Sequence, residues 1–217
     1  AILSPQGKYL FDFFVFTLGK NKVFIDIHQS RAVAVKKFLE FYKLNSDVTI
    51  SNENCQVVLS SAREEIFCFA DPREKILGWR CYDFKKEFAH RGKGFDEFEI
   101  NRIKSLIPET GIELIPEKSY ILELNFEKIN GVDFKKGCYL GQEVTARMKH
   151  KATLKNKLYS GYILTDPKNK DDKKVYSNGK VVGDIYSIFN NYCLVKIKDS
   201  FKEDELTVFG EPLTLFN

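Results

Sequence analysis

Beyond Lys151 the chain breaks into short segments of regular spacing, and that pattern limits its second half more than any other feature does. Leu158–Leu164, Val181–Ile188, Tyr192–Ile197 and Leu206–Phe209 read as strands, rich in β-branched and aromatic residues. Between them stand turn-formers: Asp166-Pro167, Ser177-Asn178-Gly179 and Asn190-Asn191. Short strands punctuated in this way predict a small β-barrel or sandwich. The lysine–aspartate run Lys168–Lys174 reads as a solvated loop. A boundary near residue 150 therefore divides the chain into 1–150 and 151–217.

The first part mixes both periods. The aromatic run Lys8–Leu18 predicts a strand, Gly19-Lys20-Asn21-Lys22 a turn, and Val23–Ile27 the second strand of a hairpin. Ser30 is placed to cap a helix reaching about Lys43. On it Val35, Phe38, Leu39 and Tyr42 form one apolar stripe, expected to be core. Asp47–Ser51, Gln56–Ser60, Ile66–Phe69 and residues 80–84 predict short strands. Asp71-Pro72-Arg73 marks a loop, since proline pushes its predecessor out of helix. The piece 90–94, His-Arg-Gly-Lys-Gly, reads as flexible and basic. Acids early and cations late support a helix from Phe95 to about Leu106, ended by Pro108. A short helix follows from Gln142 to about Lys149.

Composition excludes several classes. With 43% hydrophobic and 29% charged residues, the 217-residue chain reads as an ordinary globular protein. A net charge of +4, with acids interleaved among the lysines, does not mark a nucleic-acid binder, so no direct contact with nucleic acid is expected. No apolar run is long enough to span a bilayer, and no membrane partner is expected. Five cysteines at irregular spacing do not look like a disulfide framework, so reduced thiols are expected. Cys55, Cys68, Cys81 and Cys193 lie in apolar, strand-like segments and read as core. No Cys-x-x-Cys pair or histidine spacing suggests a metal site, and His28, His90 and His150 receive no role.

The fifth cysteine differs. In Lys136-Gly137-Cys138-Tyr139-Leu140-Gly141-Gln142-Glu143 a thiol stands between two glycines and beside a cation. Glycine lets backbone approach a ligand closely, and a nearby lysine favours the thiolate. Cys138 is the leading functional candidate: a thiol that handles a cluster, a sulfur species or an electrophile. Lys136 is either a surface cation or a partner for that thiolate. Gln142 and Glu143 either begin a helix, where an acid suits the positive end, or buttress the cysteine loop. Arg147 pairs with Glu143 at i, i+4 or grips a ligand carboxylate.

Separated phrases agree with this one. Leu3-Ser4-Pro5-Gln6-Gly7-Lys8 precedes the first strand, and Asp71-Pro72-Arg73 is followed by Leu77-Gly78-Trp79-Arg80. Arg102 lies shortly before Ile107-Pro108-Glu109, and Thr145-Ala146-Arg147 follows the cysteine phrase. In this order and spacing the chain resembles the YgfZ family of folate-binding proteins, whose mitochondrial member is an iron–sulfur cluster assembly factor. That family is similar in fold to the T-protein, an aminomethyltransferase of glycine cleavage.

The resemblance implies an α+β, T-protein-like folate-binding fold with a C-terminal β-barrel. It implies tetrahydrofolate as ligand, and iron–sulfur enzymes or assembly proteins as partners, in bacteria including enzymes that thiolate transfer RNA. Localisation would be cytoplasmic in a bacterium or in the mitochondrial matrix. An accessory role is expected ahead of an aminomethyltransferase-like activity. A cluster on Cys138 would be transient, because one cysteine cannot supply four thiolates.

Arg80, Arg102, Glu123, Arg147 and Trp79 become candidate folate contacts. The alternatives are structural ion pairs for the arginines, packing for Trp79 and an edge-strand surface acid for Glu123. Family members usually carry a further strand and helix before the Pro-Gln-Gly phrase, so the region 1–150 is expected to be N-terminally incomplete. The T-protein also has an acid two positions after the arginine matching Arg102. Here that position is Lys104, which cannot accept hydrogen bonds from a pterin.

Overall fold

The computed structural model describes residues 1–86, 94–150, 154–164 and 171–216. His90 and the rest of the basic piece at 90–93 lie outside these residues, as do residues 168–170 of the lysine–aspartate run.

The second half is a closed barrel. Its strands are β8 (Asn156–Ile163), β9 (Lys174–Ser177), β10 (Lys180–Phe189), β11 (Tyr192–Lys198), β12 (Leu206–Val208) and β13 (Glu211–Leu215). They close in the order β10-β11-β8-β13-β12-β9, with every neighbouring pair antiparallel. Closure removes the sheet edges, and alternate residues such as Ile163, Val175, Val182, Val195 and Val208 fill the interior. Two of the six strands, β9 and β13, fall outside the four expected segments. β9 starts at Lys174, the last residue of the expected solvated loop.

In the first half β1 (Ile2–Leu3) and β2 (Tyr9–Phe11) pair across the Ser4–Gly7 turn. The expected strand Lys8–Leu18 is broken at Asp12. Its carboxylate accepts hydrogen bonds from Tyr9 (2.6 Å) and Thr110 (2.7 Å), so it turns inward and divides the run. The remainder forms the expected hairpin, β3 (Phe14–Thr17) with β4 (Val23–Asp26).

Helix α1 (Ala32–Tyr42) follows a 3-10 turn at Gln29–Arg31. Ser30 does not cap it; the His28 ring accepts from Ser30 N instead, which gives that histidine a structural role. The expected apolar stripe is only partly covered. Val35 is buried and Phe38 meets Phe11 edge-on, but Tyr42 is exposed.

β5 (Gln56–Ser60), β7 (Trp79–Asp83) and β6 (Phe67–Ala70) form a three-stranded antiparallel sheet with β7 in the centre. The Phe16 ring sits among those of Phe24, Phe67 and Tyr82, at 4.4–5.2 Å between centroids. No strand forms at 47–51, which is irregular and largely exposed.

The expectation of reduced cysteines is corrected here. Cys68 and Cys81 are directly opposed on β6 and β7 and form a disulfide. Their spacing in sequence gives no hint of this, because the register of the sheet is what brings them together.

Helix α2 (Phe95–Lys104), a 3-10 turn at Ile121–Leu124 and α3 (Gln142–His150) complete the body. Ile103, Ile107, Leu114, Leu124 and Phe126 make its core, joined by Leu158 and Leu194 from the barrel strands. A polar seam lies beside this contact. Arg102 is buried and donates to the Ile107 carbonyl and to Ser187 Oγ of β10, both at 2.8 Å. It also meets the carboxylates of Glu99 (3.0 Å) and Glu113 (3.7 Å), and Glu113 accepts from the hydroxyl and the backbone of Ser187. A buried charge is tolerated only when paired in this manner.

Candidate functional site

The cysteine loop is held at its far end by helix geometry. Gly141 has φ +83°, and α3 starts at the next residue. Gln142 bonds twice to Tyr139: its backbone N donates to the Tyr139 carbonyl (3.2 Å), and its Oε1 accepts from Tyr139 N (3.0 Å). Gln142 thus both begins the helix and buttresses the loop. The buried Thr145 adds a bond from its hydroxyl to the Gly141 carbonyl.

The Pro-Gln-Gly turn presses against this point. A Cβ on Gly141 would lie 2.5 Å from Ser4 O and 3.0 Å from Gly7 Cα; a Cβ on Gly7 would lie 2.9 Å from Val144 Cβ. Two phrases more than a hundred residues apart thereby meet backbone to backbone.

The near end of the loop is held by side chains. Phe134 packs against the core and faces His150 and Lys149 of the last turn of α3, and Lys149 pairs with Glu127. Asn130 Nδ2 donates to Pro72 O at 2.7 Å, drawing in the Asp71-Pro72-Arg73 loop. Between these anchors Lys135, Lys136, Gly137 and Cys138 are exposed. The Cys138 thiol therefore stands on the surface of a loop fixed at both ends. Tyr139 turns its ring to the core, where burial raises its phenol above the usual range, and the Lys136 ammonium lies 5.3 Å from that ring. Gly137 is unlike Gly141: nothing lies within 4 Å of the Cβ it lacks.

The other candidates are placed elsewhere. Arg80 on β7 donates to Asp26 of β4 at 2.6 and 3.2 Å, lies over the Phe14 ring, and is 3.9 Å from Asp71. Tyr82 donates to the same Asp26 oxygen, and burial, reinforced by that carboxylate, raises its phenol. Arg73 lies over Phe14 as well and pairs with Asp71. Asp71, expected only as part of a loop phrase, and Asp26, for which no role was expected, thus organise this wall; the available signal for Asp26 was an acid ending an aromatic strand.

Trp79 begins β7, with the Arg63 guanidinium 5.8 Å from its ring. Glu123 is not on a strand as expected but in the 3-10 turn, accepting from Asn156 and facing Lys196 at 3.5 Å. Glu143 and Arg147 form an exposed i, i+4 pair at 2.9 Å. A cleft of about 1080 Å³ between α2 and β10 is lined by Phe95, Glu99, Arg102, Ile112, Ser187 and Phe189, among others. Of the candidate site residues it takes in Arg102 alone.

A T-protein fold is what comparison with solved structures also gives. The solved glycine cleavage system aminomethyltransferase T from Bartonella henselae superposes with a TM-score of 0.67, over 99% of this chain and 73% of that one. At 11% identity this is a likeness of fold. The mitochondrial iron–sulfur cluster assembly factor IBA57 of mouse is 29% identical over 182 residues, covering 72% of this chain and 51% of the relative. The human protein is 28% identical over 189 residues, covering 76% and 53%. A Neurospora crassa homologue is 39% identical over 209 residues, covering 73% and 43%.

The curated proteins that this chain is similar to include IBA57 iron–sulfur cluster assembly factors.

The chain spans about half the length of these IBA57 relatives. No family model matches it. The mouse and human relatives are mitochondrial by name.

Proposed function

We propose that this protein is an accessory factor of iron–sulfur cluster assembly or repair, working in the mitochondrial matrix, with Cys138 as its functional thiol. The observation that carries the reading is the exposure of Cys138 on a loop pinned by Gly141, Gln142 and Phe134. Such a loop presents sulfur to another molecule without refolding. Among the described residues no three His, Cys, Asp or Glu side chains are grouped to hold a metal ion. A cluster handled here would draw its remaining ligands from the protein that gives or receives it, and is cargo. The IBA57 relatives support this reading by name. Client enzymes would be iron–sulfur proteins, those that thiolate transfer RNA included.

Reduced folate enters the proposal through the fold alone. The five residues considered as folate contacts already have partners: Arg80, Arg102, Glu123 and Arg147 face charged groups within the chain, and Trp79 faces Arg63. They do not make a folate site as they stand, and no step is derived through that ligand. The alternative, aminomethyl transfer like that of the T-protein, is disfavoured by Lys104. Its ammonium lies 4.4 Å from the Tyr192 ring and offers no acceptor to a pterin.

The test is complementation of cells lacking the endogenous factor. Cys138→Ala is expected to fold normally and to leave iron–sulfur enzymes inactive. Full rescue by that variant would overturn the role of the thiol.

A further inference from the structure

The Cys68–Cys81 disulfide takes no part in the function proposed for Cys138, yet the two are close along the fold. β6 is an edge strand of four residues, paired with β7 alone among the described residues. Cys68 and Cys81 stand directly opposite each other across that pair. Cys81 is fully buried and Cys68 is 8% exposed. Opening β6 uncovers the Cys68 sulfur while the rest of the sheet stays paired, because short edge elements open as small units.

Both sides of the bond lead to residues already described. On β7, Cys81 lies between Arg80 and Tyr82, which donate to Asp26 of β4. On the other side β6 ends at Ala70 and runs straight into Asp71-Pro72-Arg73. The Pro72 carbonyl accepts the 2.7 Å hydrogen bond from Asn130 Nδ2. Asn130, at φ +59°, precedes the loop that carries Cys138. A short strand, a tight turn and one hydrogen bond therefore connect the disulfide to the near end of that loop.

We propose that Cys68 and Cys81 form a redox switch, worked by glutathione, that sets how firmly the Cys138 loop is held. The proposal rests on the reading of Cys138 as the functional thiol and on the matrix location. Where glutathione keeps thiols reduced, a disulfide is usually transient, catalytic or redox-sensing. A glutathione thiolate attacks the Cys68 sulfur, the S–S bond breaks, and Cys81 leaves as a thiolate that takes up the proton the glutathione released. A second glutathione thiolate attacks the glutathione sulfur of the mixed disulfide. Cys68 then leaves, is protonated in the same way, and glutathione disulfide departs. Two electrons pass from two glutathiones to the protein, and glutathione disulfide reverses the sequence. Oxidised, β6 is tied to β7 and holds Pro72 in place for Asn130. Reduced, β6 opens more readily, Pro72 moves with it, and the loop loosens at Asn130.

The full chain is equilibrated in buffers of graded glutathione to glutathione disulfide ratio, trapped with iodoacetamide and read by mass spectrometry. The pair is expected to pass from disulfide to dithiol and back while circular dichroism stays native. Structural disulfides resist the glutathione pool, so a bond that withstands reduced glutathione until the chain unfolds overturns the proposal. So does a pair that glutathione disulfide cannot reoxidise in the folded protein. Hydrogen exchange across 131–138 is then compared in the two states. It is expected to quicken about fivefold on reduction, the factor one hydrogen bond is worth. Cys68→Ser with Cys81→Ser is expected to exchange at the reduced rate in every buffer. Asn130→Asp, which loses the donor, is expected to exchange at that faster rate whether the disulfide is closed or open. Equal exchange in the two states of the parent overturns the proposal, as does a difference between them that persists in Asn130→Asp. None of these readouts involves a cluster, so their failure is distinct from rescue by Cys138→Ala.

Discussion

Gly7 and Gly141 meet without side chains between them: the Cβ that Gly141 lacks would stand 3.0 Å from Gly7 Cα and 2.5 Å from the Ser4 carbonyl oxygen. This contact sets where α3 begins, and so where the loop carrying Cys138 ends. The motif's two glycines therefore have different reasons to be there.

Gly141→Ala is expected to destabilise the fold by about 2–4 kcal/mol, combining a left-handed φ with a clash against backbone. Gly137→Ala meets no atom and is expected to change stability by less than about 0.5 kcal/mol. Urea denaturation of both variants checks this. If Gly137 serves approach by a partner, Gly137→Ala lowers complementation while its denaturation midpoint stays at the parent value.

Arg102 and Glu113 join the body to the barrel through Ser187. Glu113→Gln leaves the buried guanidinium its Glu99 partner but weakens the bonds that Glu113 accepts from Ser187, and is expected to cost about 1–3 kcal/mol. A midpoint in chemical denaturation within error of the parent would reject this account of the seam.

The disulfide joins residues 13 apart in sequence. Replacing Cys68 and Cys81 together by serine is expected to cost about 3 kcal/mol, mainly through a less constrained unfolded chain. Thermal denaturation with and without reductant measures this. The parent should shift on reduction and the double variant should not.

The free thiols should label in the order of their surroundings. Iodoacetamide is expected to modify Cys138 in the native protein and to reach the buried Cys193 only on unfolding, as mass spectrometry would read. Burial raises the Cys193 thiol from 9.0 to about 12. The folded state therefore keeps a proton that the unfolded chain releases near pH 9. The stability this contributes is whole below pH 9 and is lost as the pH rises toward 12. Cys193→Ala should flatten the alkaline limb of the stability profile over that window.

The barrel was partly legible in the chain because four of its strands carry alternating apolar residues between turn-formers. β13 was not, since Glu211-Pro212 looks like a loop until β8 and β12 pair with it from either side. Asp12 shows the opposite case. A strand pattern ran through it, but two hydroxyl donors, one of them from Thr110, draw its carboxylate inward and divide the run.

The sequence by itself determined the cysteine phrase, the family it resembles and the local elements around it, because glycines, caps and periodicity act over a few residues. Only the tertiary structure decided that Gly7 abuts Gly141, that Cys68 bonds Cys81, and that Arg80 and Arg102 have carboxylate partners within the chain. Each of these joins segments whose separation along the chain carries no record of their distance in space.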